Sequence, residues 1–445
     1  MKVLLLADSC NPEWSSTPYF GYQICRRIID RVDEAVLVTQ FRNREAMQRH
    51  GAGKAEVVVI DSERVGAPLY AVSKLLSGGK NKGMTIKVAL NYPSYVYFER
   101  LVWKRFGAEI KAGRFDIVHR VTPLSPVLPS PIASWSPAPF VIGPVNGGLR
   151  WPRAFESRLR REREWLVKVR KLHQYMPYYR ATYNKAAAIL AGFQHTIEDL
   201  PLRPDRADRV FNCPDVGCEA SGADAPPVRA PSDRMTVLFA GRLVPYKCPD
   251  VLVRAFASSP LLRRHRLVLV GDGPEREQIQ SLIAEHQLQD CVEMTGWIGH
   301  EEVERRMRAA EVFAFPSIRE LGAGVVVEAM GLGMACVVVD YGGPGNYIDA
   351  AQTLGIKVPL SDEAALVRDF RAALESLAQD PQRRAELGRA AWESIQTRHT
   401  WEEKARRIVE VYDWVLDRRA ARPDFFAPRA ADASPIVADV PDSNH

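Results

Sequence analysis

Short apolar runs recur along the whole chain, each stopped by a turn and followed by residues with helical spacing. In the first half these runs are Val3–Ala7, Ala35–Val38, Val57–Ile60, Ile117–Val118, Phe140–Gly143 and Ala186–Leu190. A helical pattern from Tyr22 to Asp30 lies between two of them. In the second half, Val237–Ala240 ends at Gly241 and Leu267–Val270 ends at Gly271-Asp-Gly-Pro274. Val292–Gly296, Ala310–Pro316, Cys336–Val339 and Gly355–Val358 follow. Strand-turn-helix alternation predicts βαβ units and parallel sheets. We therefore expect an α/β chain with a first domain over residues 1–200 and a second over 235–400. The intervening residues 201–234, rich in Pro, Asp, Ala and Arg, read as a linker. Helices are expected near Asp362–Ala378, Pro381–Arg398 and Trp401–Arg419. The tail over 420–445, rich in Pro, Ala and Asp, is expected to be disordered.

Composition narrows the class. The chain has 445 residues, 46% hydrophobic and 26% charged, enough for two sizeable domains. No apolar run approaches the roughly 20 residues that span a bilayer. The run Met1–Ala7 is stopped at once by Asp8 and reads as a buried strand rather than a signal peptide. The seven cysteines lack metal-ligand spacing and fit reduced thiols in a cytoplasmic protein. The net charge of +6 allows acidic substrates or a membrane surface. No nucleic-acid motif accompanies it.

Candidate chemistry gathers where the apolar runs of the second half end. In parallel sheets, ligands sit outside the carboxyl ends of the strands. Arg242 and Lys247 follow Gly241 there, and Glu320-Leu-Gly-Ala-Gly-Val-Val-Val-Glu328 follows the run ending at Pro316. A glycine-bearing loop feeding a helix lets backbone N–H groups approach an anion. Ionised carboxylates only accept hydrogen bonds, and sugar hydroxyls donate them. Anion and polyol side by side describe a nucleotide-sugar.

The ordered set Gly241-Arg242 through Lys247, Gly271-Asp-Gly-Pro274, Gly296-Trp-Ile298 and the paired glutamates with Gly342-Gly-Pro344 resembles the retaining glycosyltransferases of family 4. The resemblance is strong over residues 235–350 and weaker over the first half. It implies the GT-B fold, two Rossmann-like parallel-sheet domains facing a deep cleft, with a last helix, here 401–419, crossing back to the first domain. The chain departs from the family where Leu321-Gly322-Ala323 replaces a frequent Pro-Phe-Gly, and in a first loop, Ser15 to Gly21, with a single glycine. The resemblance implies a sugar moved from a nucleotide-sugar donor to a glycan, lipid-linked or small-molecule acceptor. Arg242 and Lys247 would meet the diphosphate, Glu328 the ribose and Glu320 the donor sugar. Gly241, Ile298, Gly322, Ala323, Gly324 and Val325 would line the donor. His119, taken to stand at the carboxyl end of its strand, would approach the donor sugar. With no Asp-X-Asp at a strand end, catalysis without a metal or other cofactor is expected.

On the acceptor side, Tyr19 and Phe20 could stack on a sugar or lipid, or simply pack in the core. Asn146, Gly147 and Gly148 form either an acceptor loop or an ordinary turn. Arg150–Arg180 combines many basic residues with interleaved apolar ones. It suits either an anionic membrane surface, which would make the protein peripheral at the inner face of the membrane, or a solvated helix face. A non-hydrolysing sugar-nucleotide epimerase and an inactive GT-B scaffold remain as alternatives. A Rossmann dehydrogenase is excluded by the absence of Gly-X-Gly-X-X-Gly after the first strand.

Overall fold

The structure is a computed structural model that describes residues 1–76, 84–162, 173–230 and 232–426. Two parallel sheets organise it. The first contains β1 (Lys2–Ala7), β2 (Glu34–Gln40), β3 (Glu56–Ile60), β4 (Ile117–Thr122), β5 (Phe140–Val145), β6 (Ala188–Ala191) and β7 (Val210–Asn212) in the order β3-β2-β1-β4-β5-β6-β7. The second contains β8 (Thr236–Ala240), β9 (Arg266–Val270), β10 (Val292–Gly296), β11 (Val312–Phe315), β12 (Ala335–Val339) and β13 (Ile356–Val358) in the order β10-β9-β8-β11-β12-β13.

Helices cover both faces of each sheet, so the central strands are buried throughout rather than alternating between buried and exposed. All five residues of β12 are buried. In β1 the two-residue period divides the core: Val3, Leu5 and Ala7 join the cluster on one face, Leu4 and Leu6 that on the other. Leu4 sits in register with Val36 of β2 and Val118 of β4.

Two parts of the chain depart from the sequence expectation. The segment 201–234 is not all linker, because β7 within it pairs with β6 and edges the first sheet. Residues 420–426 are placed, with Phe425 buried in the first domain's core and Arg422 donating to Asp208 O and Val210 O. Residues 427–445 lie outside the described residues.

Three stretches tie the domains together. Cys213–Cys218 crosses from the first sheet towards the second, and the chain returns at Thr400. The two crossings are zipped by Cys218 N donating to His399 O at 3.2 Å and Trp401 N donating to Cys218 O at 3.0 Å. The helix Trp401–Val415, capped by the Thr400 hydroxyl, presents Trp401, Ala405, Ile408, Val411 and Tyr412 to the first sheet. Their spacing is that of one helical face. The third stretch, residues 149–162, connects β5 towards β6 yet packs on the second domain. Its Phe155 is fully buried in that domain's core.

Candidate functional site

Chain order reverses between β8 and β11, which lie side by side in the second sheet. Crevices at the carboxyl ends of such a switch point are where open α/β sheets bind ligands. The loop after β8 carries Arg242 and then the short turn Pro245–Lys247. Cys248 follows in the left-handed region at φ 50°, a conformation that costs a non-glycine residue about 1 kcal/mol or more. The loop after β11 carries Ser317 to Glu320. Ile318 N donates to Tyr246 O at 2.9 Å, which joins the two loops.

The joined loops bring Lys247 and Glu320 together. Lys247 Nζ lies 3.0 Å from Glu320 Oε2 and 4.8 Å from the centroid of Phe315. Ser317 Oγ donates to the same carboxylate oxygen at 3.2 Å. The two charged side chains keep 11% and 21% of their surface exposed, so the pair is accessible from the crevice. Arg242 is exposed on the same loop, and no carboxylate among the described residues pairs with it. The backbone of Glu320 is held from behind, where Gly343 N donates to Glu320 O at 2.9 Å. Gly342 has φ +67° there, and a Cβ would lie only 2.3 Å from Glu320 O. Glycine is the residue that fits both demands.

Ala323, at φ 54° and ψ 53°, turns the chain into the helix Gly324–Gly331. The first amides of a helix have no partner inside it, and the dipole favours negative charge at that end. Glu328 projects from this helix, half-buried. Burial pushes its carboxyl pKa above the ordinary value, with Glu304 adding to the effect and His300 opposing it. No donor among the described residues hydrogen-bonds its carboxylate. Ile298 is half-buried against the second core beyond β10, and its neighbour Trp297 is 76% exposed. Gly322 and Gly324 face Val216 on the crossing segment, and Gly324 also faces the Phe20 ring of the first domain. The crevice therefore opens at the meeting of the two domains.

The first domain places several candidates differently from the sequence expectation. β4 continues to Thr122, so His119 sits inside the strand rather than at its end. It is fully buried, with Nδ1 on the Tyr412 hydroxyl and Nε2 2.7 Å from Gly143 O. Burial lowers its pKa to about 4. The ring joins the last helix to the sheet and has no nitrogen left for a sugar. Asn146 is also buried, donating to Asp215 Oδ1 at 2.7 Å and accepting from Thr196 Oγ1 at 3.3 Å. Gly147 donates to Thr196 Oγ1, and a Cβ there would meet Pro126 at 2.7 Å. Gly148 packs on Asp199. This loop is consumed by internal packing. Tyr19 and Phe20 form an aromatic cluster with Trp401, the packing alternative. Sequence reasoning passed over two oxygens at the same edge. Asp8 Oδ1 and Asn43 Oδ1 are buried with no hydrogen-bond donor among the described residues. Only the position of Asp8, at the end of the first apolar run, could have signalled it.

The basic segment 150–180 divides. Residues 163–172 lie outside the described residues. Arg150, Arg153 and Arg180 are exposed and Tyr175 is 81% exposed. Arg158, by contrast, is buried against the second domain. Its guanidinium bonds Asp250 through two nitrogens, each at 2.9 Å, and its Nε bonds Glu363 at 2.9 Å. Among the described residues, no helix is long and apolar enough to cross a membrane.

Comparison with known proteins agrees with this geometry. Residues 223–393 match the model of the family described as glycosyl transferases group 1. A D-inositol 3-phosphate glycosyltransferase of Saccharomonospora viridis is 33% identical over 41% of this chain and 43% of its own. A lipopolysaccharide core biosynthesis glycosyltransferase of Rhizobium meliloti is 32% identical over 44% of this chain and 55% of its own. The chain spans about half the length of the curated relatives it matches. Solved structures cover nearly all of it. Sucrose-phosphate synthase of Thermosynechococcus elongatus aligns with a TM-score of 0.61 at 17% identity, over 94% of this chain and 100% of its own. HepE of Anabaena in complex with UDP aligns with a TM-score of 0.59 at 18% identity, over 93% and 100%. The chain has the GT-B fold.

Proposed function

We propose that this chain, whose second domain matches the glycosyl transferases group 1, moves a sugar from a nucleotide-sugar to an acceptor hydroxyl with retention at the anomeric carbon. The observation that carries the reading is the Lys247–Glu320 pair at the β8/β11 switch point. Beside it lie an exposed Arg242 and a Glu328 carboxylate that no donor among the described residues satisfies. In this reading Lys247 and Arg242 meet the diphosphate and stabilise the charge that grows on it. The amides of Gly324 and Val325 add to that stabilisation. Glu328 accepts from the ribose hydroxyls and Glu320 from the donor sugar. The bond from the anomeric carbon to the diphosphate breaks. A bond to the acceptor oxygen forms on the same face, and the acceptor proton passes to the departing phosphate oxygen. Retaining glycosidases instead set two carboxyl groups roughly 5–5.5 Å apart across the bond, whereas here one carboxylate is paired with a lysine. The reading invokes no cofactor.

The acceptor, a glycan, a lipid-linked sugar or a small polyol, would approach from the first domain. Asp8 and Asn43 stand at that edge, each with a buried side-chain oxygen that no donor among the described residues satisfies. The names of relatives that act on inositol phosphate and on lipopolysaccharide core support a polyhydroxyl acceptor. Attachment to the inner face of an anionic membrane through the exposed arginines of 150–180 is part of the proposal.

Thermal unfolding measured with UDP, GDP and ADP tests the reading, since a ligand that binds only the native state raises its stability. One nucleotide is expected to stabilise the chain, and the corresponding nucleotide-sugar to support transfer with retained anomeric configuration by NMR. No stabilisation by any of the three would overturn the donor site. Release of nucleoside diphosphate without an acceptor, with epimerised sugar, would favour an epimerase.

A further inference from the structure

The geometry points to Arg158 as the residue that positions the Lys247 loop, so that the arm 149–162 from the first domain holds the phosphate-binding lysine of the second. The inference rests on the glycosyltransferase reading for what Lys247 does, but the coupling it describes is independent of that reading. Arg158 is placed to act on the loop from both sides. One of its nitrogens donates to Pro245 O at 3.1 Å, two residues before Lys247. The same guanidinium grips Asp250, three residues after Lys247, in a two-pronged pair whose side chains are 2% and 5% exposed. Between these anchors lie the lysine and Cys248 with its left-handed backbone. Strained conformations of that kind persist only where the surroundings over-determine them. Arg158 supplies that determination, because a planar guanidinium fixes carboxylate and carbonyl in one arrangement that a lysine ammonium cannot reproduce.

The arm that delivers Arg158 is itself fixed to the second domain. Phe155 fills the core there, and Trp151 Nε1 donates to Phe155 O at 3.0 Å. Trp151 carries the Arg319 guanidinium 5.4 Å from its ring. Tyr341 Oη donates to Arg150 O at 2.7 Å. Glu363 takes the remaining Nε of Arg158. Burial works against the charged guanidinium, but the hydrogen bonds to Asp250 and the nearby anions more than offset it and hold its pKa above the ordinary value. A residue with this environment is a fixed strut and not part of a solvated basic face. It touches neither donor nor acceptor in the proposed reaction, so its role is positioning.

Truncating Arg158 alone removes the two-pronged partner of the buried Asp250 carboxylate, which can unfold a protein for reasons unrelated to the loop. The test therefore compares Arg158→Lys, and the double variant Arg158→Met with Asp250→Leu, with the wild-type full chain. The double variant removes both charges together, so the fold is retained, as urea unfolding checks. Hydrogen exchange over 245–248 is expected to quicken by about tenfold or more in the double variant while β8 stays unchanged, as local opening permits. Binding of whichever of UDP, GDP or ADP the wild type holds best is expected to weaken by about tenfold, while binding of the matching nucleoside, which lacks phosphate, is unchanged. Arg158→Lys is expected to fall between the two proteins in both measurements. Unchanged exchange over 245–248 in a folded double variant overturns the inference. Equal losses for nucleotide and nucleoside overturn it too, because they would show a general structural role. If the wild type binds none of the three nucleotides, the donor reading fails, and the exchange measurement still decides the coupling.

Discussion

Both sheets end in a crevice edge at their switch points, β1 beside β4 in the first domain and β8 beside β11 in the second, yet the polar residues there behave differently. On the second sheet, Arg242 is exposed and the Glu328 carboxylate has no hydrogen-bond donor among the described residues. Lys247 and Glu320 share one accessible bond. On the first sheet, His119 and Asn146 are buried and each is occupied from two sides. Ligand chemistry needs hydrogen-bonding capacity that the protein leaves unspent, whereas buried polar groups must be satisfied internally. Position at a strand end is therefore a weaker guide to function than vacancy. By that criterion His119 and the 146–148 loop drop out as first-domain candidates, and Asp8 and Asn43 keep unspent oxygens there, but buried ones.

This contrast can be broken most directly through Lys247. Lys247→Ala and Arg242→Ala are each expected to lower turnover by about 2–4 kcal/mol of transition-state stabilisation, with little change in urea unfolding. Wild-type turnover in a folded Lys247→Ala chain would remove the difference between the two edges. His119→Phe is the converse experiment. It leaves Tyr412 Oη and Gly143 O without their partner and is expected to cost about 1–3 kcal/mol of stability, with turnover largely retained among the folded molecules.

The same histidine gives a pH test. Its folded pKa of about 4 lies below the ordinary 6.5. Between those values the unfolded chain binds a proton that the folded chain does not. Stability should therefore be fully present above about 6.5 and decline as pH falls towards about 4. His399, also buried with a depressed pKa, contributes in the same direction. The slope in His119→Phe should thus be shallower than in wild type but not flat. Identical slopes in urea titrations at several pH values would mean the ring is not buried neutral.

The division of labour within the second edge is a finer matter. Glu328→Ala should weaken binding of the sugar-free nucleoside diphosphate by about 1.5–3 kcal/mol. Glu320→Ala should act chiefly on the intact donor. Calorimetry with both ligands would show equal losses in both variants if the roles are not divided. The smallest effect concerns the exposed arginines. Changing Arg150, Arg153 and Arg180 to Ser should reduce co-sedimentation with anionic vesicles by about 1 kcal/mol per residue at low salt. If wild type ignores such vesicles, those arginines form a solvated surface.

The second domain was legible because its signals are local. Gly271 and Gly342 each mark a point where the chain after a strand meets another backbone, and a Cβ on Gly271 would lie 2.0 Å from Gly241 O, while one on Gly241 would meet the Lys247 side chain. Twelve of the strands coincide with apolar runs visible in the sequence. The thirteenth, β7, is three residues long, Val210–Asn212, and lies within a polar segment, so its pattern was too short to register. His119 was misplaced because the polar pair His119-Arg120 seemed to close an apolar run. Both side chains are in fact held inside the protein: the Tyr412 hydroxyl, distant in sequence, meets the histidine, and carbonyls of the loop that follows, Leu128 O among them, accept from Arg120. Arg158 failed for the same reason. Its partners Asp250 and Glu363 lie in the other domain, and nothing near it in sequence separates a strut from its exposed basic neighbours.

The helix Trp401–Val415 has a consequence for the order in which the protein is made. A ribosome delivers the strands of the first sheet before the second domain, but the apolar cluster on one face of that sheet is completed by Trp401, Ile408 and Tyr412, which emerge only after the second domain. Domains generally fold as units in order of synthesis, and here the first is barred from finishing first. A nascent chain stalled after residue 400 would carry a completed second sheet and a first domain with one face open to chaperones, and release of the last helix would close it.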